Sequence, residues 1–165
     1  MPYPWNKTNT WHHTIGGEML GTRNIKFWVE CTPPRTTHQS GNTILKTKSG
    51  RLFVGKNHKG KKVANQLMAM VSPYAPSTPF TKPIKAEICW VYPWRTSDTK
   101  ANKQKGVIPC SKRPDADNIA KGVLDACQKA GFYIDDAQVY DLHVQKAYGT
   151  HHGVYISITE MDYNG

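Results

Sequence analysis

The segment 116–130 has less conformational freedom than any other part of this chain. Ile119, Val123, Ala126, Cys127 and Ala130 recur at spacings of three and four. Only a helix with one apolar side uses that period. The same 3.6-residue period sets Asp117, Lys121, Leu124 and Asp125 on a neighbouring face. Gly131 is the residue type that closes a helix C-terminus. Two carboxylates, Asp115 and Asp117, mark the start of the segment. A second acidic pair, Asp135-Asp136, follows it across Phe132-Tyr133-Ile134. The fold must therefore bury one side of this helix and leave its acidic start accessible.

The rest of the chain supplies the partners for that apolar side. Ile25 to Cys31 and Ile84 to Tyr92 are rich in β-branched and aromatic residues and predict strands. The second becomes continuously apolar, as a central strand does. Thr32-Pro33-Pro34-Arg35 ends the first, because proline cannot donate to a ladder. Thr43 to Thr47 and Arg51 to Val54 flank Lys48-Ser49-Gly50 and predict a hairpin. Residues 58–71 return to a helical period through Val63, Leu67 and Met70. Ser72 to Pro83, with four prolines, predicts a connector. Arg95 to Lys112 has almost no apolar content and predicts a mobile basic loop. Gln138 to Tyr148 and Val154 to Thr159 predict two closing strands. The expected architecture is α/β in character (α+β-like): one compact domain over 24–162, with a mixed β-sheet and two main helices. Residues 1–23 lack periodicity and are expected to form an irregular N-terminal extension.

Charge narrows the partner. The chain carries net +10, unevenly spread. Residues 1–114 hold 19 basic and four acidic groups; residues 115–165 hold three basic and eight acidic. Such asymmetry points to a polyanion, usually nucleic acid. The leading backbone-binding group is Lys46, Lys48, Arg51, Lys56, Lys59, Lys61 and Lys62, with Arg35 in the loop after the first strand. Three of these lysines crowd a helix start, where the macrodipole disfavours them. The four cysteines have no C-x-x-C spacing, which suits free thiols in a reducing cytosol rather than a zinc site or disulfide framework. No apolar run has the length of a membrane helix, and no secretory signal is visible. The expected location is the cytoplasm.

Six of the 12 acidic residues fall within 115–141. Concentrated negative charge repels DNA unless a metal neutralises it. Mg²⁺ is a hard ion that takes one or two carboxylates plus waters and phosphate. It can activate water and offset charge on a phosphodiester under attack. Asp115 and Asp117 can supply carboxylates at the helix start, and Asp136 another from a separate segment. Lys121 can pair with Asp117 at i,i+4, or place a fixed positive charge on the phosphate. Blander roles stay open for each. Asp115 suits an N-cap, Asp117 complements the helix dipole, and Asp135-Asp136 suits a turn.

Arg113-Pro114-Asp115-Ala116-Asp117-Asn118-Ile119-Ala120-Lys121, then Leu124-Asp125-Ala126, then Gly131 to Val139 with Asp135-Asp136-Ala137-Gln138, resembles the RusA-type Holliday-junction resolvases. The family pattern is D-x-D-N-x-x-K, a helix, then D-D-x-Q. The resemblance implies a homodimeric endodeoxyribonuclease, often encoded by phages. It implies paired nicks in four-way DNA junctions with Mg²⁺ or Mn²⁺, in recombination and repair. It places metal binding on Asp115, Asp117 and Asp136 and an essential catalytic lysine at Lys121. Asn118 and Asp135 match the pattern with a weaker claim as ligands, Asn118 also suiting a brace at the helix start; Asp125 matches too, with a place around those groups or on the surface equally open. The setting would be the cytoplasm of a bacterial or phage-infected cell. Two alternatives stay open: a related nuclease acting on flaps or other branched DNA, and a non-catalytic DNA-binding protein of the same fold.

Overall fold

A computed structural model describes residues 23–36 and 60–162, together with the backbone of 14–15, 43–46, 52–55 and 58–59. In chain order the elements are β1 (Thr14–Ile15), β2 (Asn24–Glu30), β3 (Thr43–Lys46), β4 (Leu52–Gly55), α1 (His58–Val71), β5 (Ile84–Pro93), α2 (Lys100–Gln104), β6 (Val107–Pro109), α3 (Ala116–Ala130), β7 (Val139–Gly149) and β8 (Gly153–Glu160). Single turns of 3₁₀ helix follow α1 at Ser72–Tyr74 and precede β7 at Asp136–Gln138.

The central sheet is mixed, with strand order β1-β2-β8-β5-β7-β6. β5 runs parallel to β7 and antiparallel to β8. Its near-continuous burial explains the unbroken apolar run of its sequence. Parallel strands need a long crossover, and α2, β6 and α3 lie in the chain between β5 and β7. β3 and β4 form a separate antiparallel hairpin.

Strand alternation sorts β5 onto two faces. Ile88, Trp90 and Tyr92 join the main core, where α1 brings Val63, Leu67 and Val71 and α3 brings Ile119, Val123, Ala126 and Cys127. Cys89 and Val91 join a smaller cluster on the other face with Ala147 and Tyr155. Trp28 packs there against Gly153, where any Cβ would collide with the indole ring. The expected stripe of α3 is thus the buried one. Gly131 closes the helix at φ 87°, in the left-handed region.

The basic stretch after β5 is more ordered than its composition suggests. Arg95 and Asp98 make a tight turn, with the guanidinium bonded to a carboxylate that is only 7% exposed. α2 follows, capped by the Thr99 hydroxyl. β6 then pairs with the end of β7. Long-range pairing outweighs the low apolar content that suggests mobility. At the other end, β1 pairs with β2. Arg23 bonds the carbonyls of Thr78 and Pro79 and lies over the Phe80 ring.

Candidate active site

The Arg113–Asp117 segment emerges beside the C-terminal ends of the parallel pair β5 and β7. Lys146, on β7, fixes it there: its ammonium donates to the carbonyls of Lys112 (2.9 Å) and Pro114 (2.8 Å). Cys110 N–H also donates to the Lys146 carbonyl. Nothing in the spacing of Lys146 distinguishes it from a solvent-facing strand lysine, so this role is visible only in three dimensions.

Asp115 occupies the N-cap position of α3, with extended backbone. Its carbonyl accepts from Ile119 N–H, but its side chain caps nothing. Asp117 stands in the first turn. Both are exposed, as is Lys121 one turn on. The Asp117–Lys121 ion pair that the spacing permits is not formed. Among the described residues, neither these two carboxylates nor the Lys121 ammonium has a side-chain partner. Asn118 is half-buried and lines a small cleft with Thr36, Val63, Leu67 and Trp90.

The second acidic pair divides its work. Asp135 accepts from Ala137 N–H at 2.9 Å. Gln138 Oε1 accepts from Ile134 and Asp135 N–H at 2.9 Å each, completing a capping box. Gln138 Nε2 donates to the Phe80 and Lys82 carbonyls. Asp135 and Gln138 therefore fasten the turn, while Asp136 stays exposed, its carboxylate without a hydrogen bond among the described residues. Beneath it, Tyr133 donates to the Leu124 carbonyl at 2.8 Å. Burial, then the neighbouring Cys127, Asp136 and Asp125, push the Tyr133 hydroxyl well above its ordinary pKa.

Asp136 and Asp125, the latter in the C-terminal half of α3, both act on the Tyr133 hydroxyl. Asp125 lies eight residues beyond Asp117, about 12 Å along a helix axis. Among the described residues no three His, Cys, Asp or Glu side chains gather closely enough to hold a metal. Asp115 and Asp117 alone still fit Mg²⁺: they are hard oxygen donors, unspent on the protein, and such an ion commonly takes one or two carboxylates. With Asp136 they do not form a cluster of three among the described residues.

Cations surround the same end of the sheet. Tyr92 and Tyr148 are register partners with ring centroids 6.1 Å apart. Arg35 lies over the Tyr92 ring at 4.9 Å and Arg95 over the Tyr148 ring at 4.5 Å. The Tyr92 hydroxyl donates to the Pro34 carbonyl and so fixes the loop carrying Arg35. This brings the Pro33-Pro34-Arg35 loop to the same strand ends. Arg95 is missed in the sequence because the lone acid that orients it, Asp98, sits in a run of basic residues. Lys61 and Lys62 are exposed on the first turns of α1. The side chains of Lys46, Lys48, Arg51, Lys56 and Lys59 lie outside the described residues.

The model of the family described as Endodeoxyribonuclease RusA matches residues 31–159. The uncharacterized protein YqaN of Bacillus subtilis (strain 168) is 31% identical over 143 residues, covering 83% of this chain and 96% of that protein. The crossover junction endodeoxyribonuclease RusA of Escherichia coli (strain K12) is 47% identical over 55 residues, covering 33% of this chain and 46% of that enzyme. The protein of the same description from Enterobacteria phage 82 matches to the same extent. The match thus spans about half the length of those two enzymes. With the family model covering most of the sequence and the mixed sheet carrying the motif at the start of α3, this chain belongs to the RusA endodeoxyribonuclease family.

Proposed function

We propose that this protein is a metal-dependent, structure-specific endodeoxyribonuclease that nicks four-way DNA junctions in recombination and repair. The observation that carries it is the pair of exposed carboxylates, Asp115 and Asp117, with the Lys121 ammonium one turn on, none of which has a side-chain partner among the described residues. In a bland capping role Asp115 would bond the helix N–H groups, and it does not.

Asp115 and Asp117 would hold Mg²⁺, with Mn²⁺ as a substitute. When bound, such an ion supplies Lewis acidity and an activated water at the phosphodiester. Lys121 places fixed positive charge on the phosphate as charge builds there. Arg35, Lys61 and Lys62, with Lys46, Lys48, Arg51, Lys56 and Lys59, bind the flanking backbone. Asn118, Asp125 and Asp135 shape the surroundings. Lys146 holds the Lys112–Pro114 strap, and hence the entry to Asp115.

Asp136 enters this scheme through a homodimer. A two-fold substrate cut on two strands suits a two-fold enzyme. Among the described residues of one chain the three carboxylates do not gather into a metal cluster, so a partner subunit would bring Asp136 to the site as the third. The working compartment would be the cytoplasm of a bacterial or phage-infected cell; among the described residues no helix is long and apolar enough to cross a membrane.

Incubation with a synthetic four-way junction, a flap and a matched duplex, each with and without Mg²⁺, tests this directly. Symmetric Mg²⁺-dependent nicks in the junction alone are expected. Asp117→Asn should abolish nicking, a fall of at least about 100-fold, while junction binding persists. Cleavage surviving that substitution overturns the metal assignment. Preferential cutting of the flap moves the enzyme to the branched-DNA alternative.

A further inference from the structure

β7 has one edge in two states. Its last residues are covered: Val107, Ile108 and Pro109 pair with Gly149, Tyr148 and Ala147, and Cys110 reaches the Lys146 carbonyl. From Val139 to Gln145, no described strand pairs with that edge. An uncovered strand edge is a template for another chain, and proteins usually blunt it with lysine, proline or a bulge directed outward. On β7 a register irregularity at Tyr140 marks the start of this stretch, and no lysine or proline lies between Val139 and Gln145. The large hydrophobic side chains most exposed among the described residues are Ile134 (65%), Tyr140 (59%) and Leu142 (41%), all in or just before this stretch.

We propose that this edge is where a second copy of the chain docks, the two β7 strands pairing antiparallel about a two-fold axis at Leu142. The inference deepens the homodimer of the proposed function by assigning its surface and register.

Backbone alternation supports the pairing. The Lys146 carbonyl points to the β6 side, so the N–H and C=O of Val144 and Leu142 point the same way and lack a described strand. β7 runs in regular register from Asp141 onward. A two-fold at Leu142 sets that residue against the partner's Leu142. It also sets Asp141 against the partner's His143, and His143 against the partner's Asp141. Within one chain His143 Nε2 already lies 3.2 Å from Asp141 Oδ1. Shifting the axis by one residue loses this complementarity. Centring on Asp141 places two carboxylates face to face, and like charges directly opposite are destabilising.

The register also joins the interface to the site. It brings the partner chain preceding Asp141 toward Gln145 and Lys146, whose ammonium holds the Pro114 carbonyl. The docked chain therefore arrives beside the Arg113–Asp117 segment.

Cysteine scanning under mild oxidation, in a Cys31→Ser background, reads the register. The other native cysteines are buried. Leu142→Cys should give a covalent dimer, because opposed residues in an antiparallel pair fall within disulfide reach. Tyr140→Cys should not, because its copies would stand four residues out of register, about 13 Å apart along the strands. Sedimentation of the unsubstituted protein should give twice the chain mass, and Leu142→Arg should give a monomer with an unchanged circular dichroism spectrum. A wild-type monomer at every concentration, a dimer that Leu142→Arg leaves intact, or a cross-link at 140 in place of 142 overturns the assignment. So does loss of junction binding by Leu142→Arg with the dimer intact, which would make the edge a DNA surface. Mass and cross-linking are read without DNA, so they fail or succeed independently of junction cleavage.

Discussion

Single residues in this protein divide between those held in place and those left free, and neighbours in sequence can fall on opposite sides. Asp135 caps a turn, while the adjacent Asp136 is exposed and uncapped. Asp98 is wholly engaged: its carboxylate accepts from Arg95 Nε, Nη2 and backbone N–H. That hydrogen bonding by Arg95 holds the Asp98 carboxyl below its ordinary pKa of 3.8. A depressed folded-state pKa contributes stability that is present above the ordinary value and lost as pH falls through the folded one. The melting temperature of the wild type should therefore exceed that of Asp98→Asn at pH 6. The gap should close as pH drops below about 4, the range where a free aspartate protonates. A gap independent of pH would mean that the charge on Asp98 contributes nothing. Composition shows Asp98 as a stray acid in a basic loop; its partner and burial are what give it a role.

Elements show how the acidic motif is assembled. α3 is legible in the sequence from end to end, because a 15-residue amphipathic period with Gly131 behind it has few other solutions. The D-D-x-Q turn is legible as a motif but not as a mechanism. Gln138 uses its amide oxygen for two N–H groups and its amide nitrogen for two carbonyls, tying α3's exit to the Phe80–Lys82 connector. Gln138→Leu leaves all four groups without that partner and should cost about 2 kcal/mol, seen as a lower urea midpoint with an unchanged slope. Gln138→Glu keeps the accepting half and turns a carboxylate oxygen toward two carbonyls, so it should not restore the midpoint. The 95–112 segment was the least legible. Low apolar content predicts a mobile loop, whereas the Arg95–Asp98 turn, α2 and the β6–β7 pairing give it structure.

For the whole molecule, the uneven charge makes a prediction about binding. Phosphate neutralisation releases counterions, so junction affinity should fall steeply with salt. Lys61→Gln with Lys62→Gln should make the slope of log K against log salt shallower by about 2 if each lysine neutralises one phosphate. An unchanged slope, measured by gel shift across a salt series, would remove α1 from the DNA surface. The sequence by itself determined the α3 period, the strands flanking it, the basic–acidic asymmetry and the motif that marks the family. These are local or compositional properties, carried by residue type and spacing along the chain. Only the tertiary structure decided that Asp115 and Asp117 have no side-chain partner among the described residues, and that Lys146 straps the segment before them. Each depends on which distant backbone group lies within hydrogen-bond reach, and no spacing along one chain encodes that. It also left the first half of β7 without a described strand on one edge, because β6 ends at Pro109 and pairs only with the strand's last residues.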